Sequence, residues 1–328
     1  MKRPAPRRGA GPLLVAGALA ALAAGVAAPP RAEAYVRYKT TSGVGFFWPQ
    51  SCVPLSAYPL SLTDASGGME MTTDQIMHAA TAAAATWSSA TMSGDDAACT
   101  YIKINVTEDD APAPTAALDY TNALVFDFAW CHPDKDGGCS YPDEALAITS
   151  VFVNKAHGQI LDGDIEVNAK SFVWADLDLK QGDHQDQDLQ NALTHEMGHL
   201  IGLDHTCFVP QLDENGIELP RPTDNLGNPV PDCDAAPLAV QQTTMFPSAS
   251  SGDVSKRTLA PDDIQGVCGI YPLASDPMIC PVKDEPPPKS GCALARAPAG
   301  SGAGLGLAVV GLVSALGLSA RRRRRPRP

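Results

Sequence analysis

Apolar positions repeat at helical spacing from Thr73 to about Ser88. Ile76, Met77, Ala80, Ala84 and Trp87 share one face there, and Thr73 can cap the start. Tyr101–Val106 alternates apolar and polar and predicts a strand. Ala123–Trp130 predicts a second strand, after a Pro-broken loop over 111–116, and Ala145–Val153 gives the strongest strand signal in the chain. Tyr35–Pro59 reads as extended chain over the domain surface. Asp183–Asp188 is polar, and Asp186 is placed to cap a helix that follows it. From His205 to Met245 the chain is rich in Pro, Asn, Asp and Gly and carries no period, with Asp213–Gly216 as a turn inside it.

Two longer apolar runs lie at the ends. Leu13–Ala28 follows Lys2, Arg3, Arg7 and Arg8 and precedes Ala32-Glu33-Ala34, which predicts a secretory signal over 1–34 and a mature start near Tyr35. A Pro-rich linker over 274–290 leads to Gly291-Cys292, an apolar run over 303–320 and the cluster Arg321–Arg325. The run is just long enough to cross a bilayer, with the arginines on the cytoplasmic side. This tail, 291–328, is similar to the tripartite bacterial sorting tails of the MYXO-CTERM type; a simple single-span anchor predicts the same topology. Membrane contact is therefore expected through the C-terminal segment before processing, and the body is expected at the bacterial cell surface or outside it.

Charge sharpens this picture. Between Tyr35 and Ser290 there are 12 Lys plus Arg against 36 Asp plus Glu. So acidic a body repels phosphate backbones, which argues against a nucleic-acid partner. Nine cysteines in an exported chain suggest disulfides. Setting aside Cys292 in the tail leaves eight. The local pairings Cys131–Cys139, Cys207–Cys233 and Cys268–Cys280 are expected, with Cys52–Cys99 left over. Asp134, Asp136 and Gly137, in the turn closed by Cys131 and Cys139, could place oxygens around calcium, with a plain acidic turn as the alternative.

The chemistry concentrates in His195-Glu-Met-Gly-His199-Leu-Ile-Gly202-Leu-Asp-His205. His195 and His199 are four apart and share one helix face, where both can bind one metal. Glu196 stands beside that face, placed to take a proton from a metal-bound water. Gly202 can adopt the left-handed conformation that ends a helix, so the chain can turn and return His205 as a third imidazole. Three His ligands leave a fourth position open, the layout of a catalytic zinc site. His78, His157 and His184 have no such neighbours and read as surface, packing or loop residues.

With these residues the chain resembles the metzincin zinc endopeptidases, and among them the matrixins. Thr244-Met245-Phe246-Pro247 looks like their Met-turn, Leu259–Tyr271 resembles their final helix, and Gly163-Asp-Ile-Glu-Val-Asn168 with Trp174 is similar to their G-D-I-x-F-(D/N) segment. The resemblance runs from about Val36 to Pro272. It implies an α+β fold: a twisted, mostly parallel sheet packed on a zinc-binding active-site helix, with a small C-terminal subdomain after the Met-turn, over 35–273. It implies one catalytic zinc on His195, His199 and His205, with Glu196 as base and Met245 as a hydrophobic floor. Phe246 and Pro247 would wall the pocket for the residue after the cut, and Ala147 would face substrate on a sheet edge or only pack. The matrixin His for a second zinc is Glu166 here, so a second zinc is not expected. The link from His205 to Met245 is much longer than in matrixins. No P-R-C-G-x-P-D latency switch precedes the domain, and Cys52 is a faint echo of one, with a disulfide as the expected fate.

These features predict an exported zinc-dependent endopeptidase acting on protein or peptide substrates. The competing reading is a non-catalytic cell-surface adhesion or binding module that keeps the fold.

Overall fold

The computed structural model describes residues 1, 34–59, 71–132, 138–177, 186–210, 219–281, 309–313 and 319–320. The chain divides into Met1–Ala32 and Glu33–Pro328, and every element below belongs to the second unit. In order these are β1 (Cys52–Ala57), α1 (Thr73–Ser88), β2 (Lys103–Glu108), β3 (Ala123–Asp127), β4 (Ala147–Asn154), β5 (Gln159–Asn168), β6 (Trp174–Ala175), β7 (Gln187–Asp188), α2 (Leu189–Leu200), α3 (Leu238–Gln241), β8 (Ser248–Ala249), α4 (Pro261–Ile270), β9 (Val309–Val313) and β10 (Ser319–Ala320).

The fold is α+β. Its sheet has the order β2-β1-β3-β5-β4-β9. β1 pairs in parallel with β2 and β3, and β3 with β5, while β4 runs antiparallel to β5. Parallel neighbours need a covering layer, and here it is helical. α1 buries Ile76, Ala79, Ala80, Ala83, Ala84 and Trp87. The small alanines let α2 approach, and the Trp87 indole N–H donates to Thr194 O of α2 at 2.7 Å. Thr72, one residue before the expected Thr73, caps α1: its hydroxyl takes the Gln75 N–H while Gln75 Oε1 takes the Thr72 N–H.

α2 is buried along nearly its whole length. Its cap is Asp188, two residues beyond the expected Asp186, with Oδ1 accepting the Asn191 N–H at 2.7 Å. Arg257 holds that carboxylate through Nε at 2.8 Å and Nη2 at 2.5 Å. At the other end, Trp48 Nε1 donates to Leu200 O at 2.8 Å and the Tyr271 hydroxyl to Ile201 O at 2.7 Å. The helix that carries the site is thus gripped by buried aromatics along its length.

Four disulfides occur among the described residues, which fits an oxidising, exported setting. Cys131–Cys139 and Cys207–Cys233 match the local expectation. The other two pairings differ from it: Cys52 bonds Cys280 and Cys99 bonds Cys268. The reason is the path after α4. The chain runs back past the start of β1, where Ser51 N–H donates to Ile279 O at 2.8 Å, and past Tyr101, whose N–H donates to Tyr271 O at 3.0 Å. That return brings distant cysteines together and separates Cys268 from Cys280.

Of the expected membrane run over 303–320, only 309–313 and 319–320 lie among the described residues, as strands: Val309–Val313 pairs antiparallel with Ser150–Asn154 of β4, and Ser319–Ala320 pairs in parallel with β8. An open sheet edge offers unpaired backbone groups, and β9 takes them. No helix among the described residues is long and apolar enough to cross a membrane. The candidate calcium turn (Asp134, Asp136, Gly137), His184, the Asp213–Gly216 turn, Cys292 and Arg321–Arg325 lie outside the described residues.

Candidate metal centre

His195 and His199 sit one turn apart on α2. The helix ends at Ile201, and Gly202 takes φ +93°, where a Cβ would stand 2.9 Å from Phe46 O. That turn swings the chain so that His205 meets the other two. The three Nε2 atoms lie 3.0, 3.1 and 3.2 Å apart, and all three rings are buried.

Tautomers follow from the partners. His195 Nδ1 faces Thr244 O at 2.7 Å and His199 Nδ1 faces Leu203 O at 2.9 Å. A carbonyl only accepts, so both Nδ1 atoms carry hydrogen and both Nε2 atoms present lone pairs. The Tyr38 hydroxyl lies 3.1 Å from His199 Nδ1 and packs its ring against the imidazole. Burial disfavours the imidazolium at each site: it pushes His195 and His205 well below the ordinary value and His199 down to about 4. The trio is therefore neutral at pH 7.

Neutral imidazoles that converge their Nε2 atoms on one point form a donor set for a single cation. Tetrahedral zinc with Zn–N bonds of about 2.0–2.1 Å separates its nitrogens by roughly 3.3 Å. The observed spacings come within a few tenths of an ångström of that edge, so these residues fit one metal ion.

Glu196 is 0% exposed, and the Thr149 hydroxyl on β4 donates to its Oε2 at 2.6 Å. Met245 lies under the helix. A Cβ at Gly198 would fall 2.3 Å from its Sδ, so a glycine there is what admits the sulfur. The Met245 segment is held by Asp263, whose carboxylate accepts the N–H of Thr244 at 2.8 Å and of Met245 at 3.3 Å. Phe246 is buried with Cys207 and Ala236 of the long insertion, and Pro247 is buried beside it. A cavity of ≈ 130 Å³ borders Phe246, lined also by Gln241, Ser248, Ala249, Ser250 and Asp253. Ala147 is 0% exposed and opposite Val167 in the β4–β5 register; the pairing with β9 stops at Ser150, three residues on.

Outside the trio, His78 Nδ1 pairs with Asp176 at 3.0 Å. Cys52 is in a disulfide. Glu166 accepts the Tyr141 hydroxyl hydrogen, and burial raises its pKa. Thr149, Tyr38 and Asp263 have no marker in the sequence motif. They lie 46, 157 and 68 positions from His195, and the fold alone brings them in. All three fall in segments that the sequence picks out as structure, Ala145–Val153, Tyr35–Pro59 and Leu259–Tyr271, but nothing local marks them as partners of the site.

No protein-family model matches the chain, and no curated protein matches it. Among solved structures it is similar to the GM1 bound form of the ECX AB5 holotoxin, at 11% identity over 73% of this chain and 89% of that chain, with a TM-score of 0.35. A likeness that weak transfers neither fold nor activity.

Proposed function

We propose that this chain is an exported zinc endopeptidase of matrixin-like metzincin type, hydrolysing peptide bonds of extracellular proteins. The observation that carries the reading is the meeting of three neutral, buried imidazoles at one point; Glu196, next to His195 on the same helix, is the candidate base. His195, His199 and His205 would hold the ion. When bound there, zinc supplies a Lewis acid that acidifies a water and polarises a carbonyl. Glu196 takes the proton of the attacking water and hands it to the leaving amine. Thr149, through its hydrogen bond to Oε2, fixes the direction in which the carboxylate points. The carbonyls of Thr244 and Leu203 keep two ligands in the metal-binding tautomer. Met245 supports the helix from below and exchanges no proton.

The test is a pair of assays on the purified chain: bound zinc, and cleavage of a denatured protein substrate. Glu196→Gln should retain zinc and lose activity by roughly 10²–10⁴-fold, the worth of a general base. Full activity in that variant removes Glu196 from the mechanism. A zinc-loaded wild type that cuts no protein moves the assignment to an adhesion or binding module.

A further inference from the structure

Lys256 is 3% exposed and lies in the 3-10 turn Ser255–Arg257. Its backbone N–H donates to Asn191 Oδ1, in the first turn of α2, at 2.7 Å. Its side chain passes beneath the Met245 segment. There Nζ donates to Thr243 O at 3.1 Å, Thr244 O at 3.1 Å and Phe246 O at 2.6 Å. Three donors meet three carbonyls, so the buried ammonium is fully used. Thr244 O is the same atom that accepts the hydrogen of His195 Nδ1. Asp263 holds the opposite polarity of the same segment, accepting from the N–H groups of Thr244 and Met245. The segment is thus clamped by an ammonium on its carbonyls and a carboxyl group on its amides. Burial lowers the Lys256 pKa to about 8, and attraction from Asp263 opposes that fall, so the group is charged at neutral pH.

The geometry points to Lys256 as a positioning residue for the metal centre: its ammonium fixes the Thr244 carbonyl and, through that carbonyl, the orientation and tautomer of His195. Neither the H-E-x-x-H pattern nor the Met-turn contains it. Its effect on metal binding has a diagnostic sign. A positive charge near a cation site opposes binding by simple repulsion, so deleting the charge alone would tighten zinc. Deleting the clamp frees a group that orients a ligand, which weakens metal sites by about 10–100-fold.

The experiment uses the full chain, stripped of metal, and measures zinc affinity by competition with a chromogenic chelator, alongside thermal unfolding of the metal-free protein. Lys256→Met should weaken zinc about 10–100-fold. Lys256→Arg, which keeps donors at the same place, should recover part of that loss, and neither change should alter the one-to-one stoichiometry. Affinity equal to or tighter than wild type in folded Lys256→Met overturns the proposal. So does failure of both variants to fold, which assigns Lys256 to support of the fold alone. Zinc affinity is read without any peptidase assay, so the result stands apart from the hydrolase reading.

Discussion

Two buried clusters of ionisable side chains in this molecule solve their burial in opposite ways. In the first, His195, His199 and His205 turn their Nε2 atoms on one another at 3.0–3.2 Å. In the second, Asp162 and Asp164 of β5 turn outward to the chain. Asp162 Oδ2 accepts the N–H of Asp119 and of Tyr120, both at 2.8 Å; Asp164 accepts Ala117 and Ala123, both at 3.0 Å. Loop 117–123 completes the carboxylates, whereas the imidazoles turn their Nε2 atoms on one another. Clustered metal-type residues are therefore not enough to define a metal site. What matters is where the lone pairs point, and whether backbone hydrogens already fill them.

The largest effect expected of this contrast comes from metal removal. With zinc held at about a thousand times its dissociation constant, chelation should cost about 4 kcal/mol, or roughly 8–16 °C in Tm for a domain of this size. Asp164→Ala should show the same drop on chelation, because backbone N–H groups already fill the oxygens of its cluster. A Tm that ignores chelator would erase the distinction.

Next in size is Asp164→Ala itself. Two backbone N–H groups, of Ala117 and Ala123, lose their acceptor. At about 1–3 kcal/mol for each buried donor left unsatisfied, urea unfolding should show a loss of roughly 2–6 kcal/mol with zinc stoichiometry unchanged. The reverse experiment is Thr149→Val, which removes one hydrogen bond to the Glu196 carboxylate. It should lower kcat by about 10- to 100-fold, the equivalent of about 1.5–3 kcal/mol, at constant zinc content and nearly constant Tm.

The smallest and most diagnostic effect is on pH. Burial raises Asp162 to about 6 and Asp164 to about 8, above the ordinary carboxylate value near 4. Between those values the unfolded chain has already released protons that the folded chain still binds. Folding stability from this pair is therefore full below about pH 4 and is lost as pH rises from there through about 6 for Asp162 and about 8 for Asp164. The difference in unfolding free energy between wild type and Asp162→Asn/Asp164→Asn should shift against wild type across that window. A difference that is flat from pH 5 to 9 would show that the loop N–H groups hold both carboxylates ionised.

The sequence exposes the first cluster far more fully than the second. A helix period, an i,i+4 histidine pair and a glycine set at the turn are local features, and local spacing is enough to predict that His195, His199 and His205 can meet. α1 and the β4 strand were readable for the same reason: their apolar periods are internal to one element. What escaped was non-local. The pairings Cys52–Cys280 and Cys99–Cys268 depend on the chain returning past β1 after α4, which no spacing encodes. Lys256 and Asp263 act on a segment 10 to 20 positions away, through carbonyls and amides whose directions only the folded backbone sets. Val309–Val313 has the composition of a membrane run, and its pairing with the edge of β4 is a contact no local period encodes.

Zinc-edge X-ray absorption on the stoichiometric complex tests the central claim most directly. The account predicts three imidazole nitrogens and one oxygen at about 2.0–2.1 Å, with one nitrogen lost in His205→Ala. A spectrum with sulfur in the coordination shell, or one that His205→Ala leaves unaltered, would contradict it.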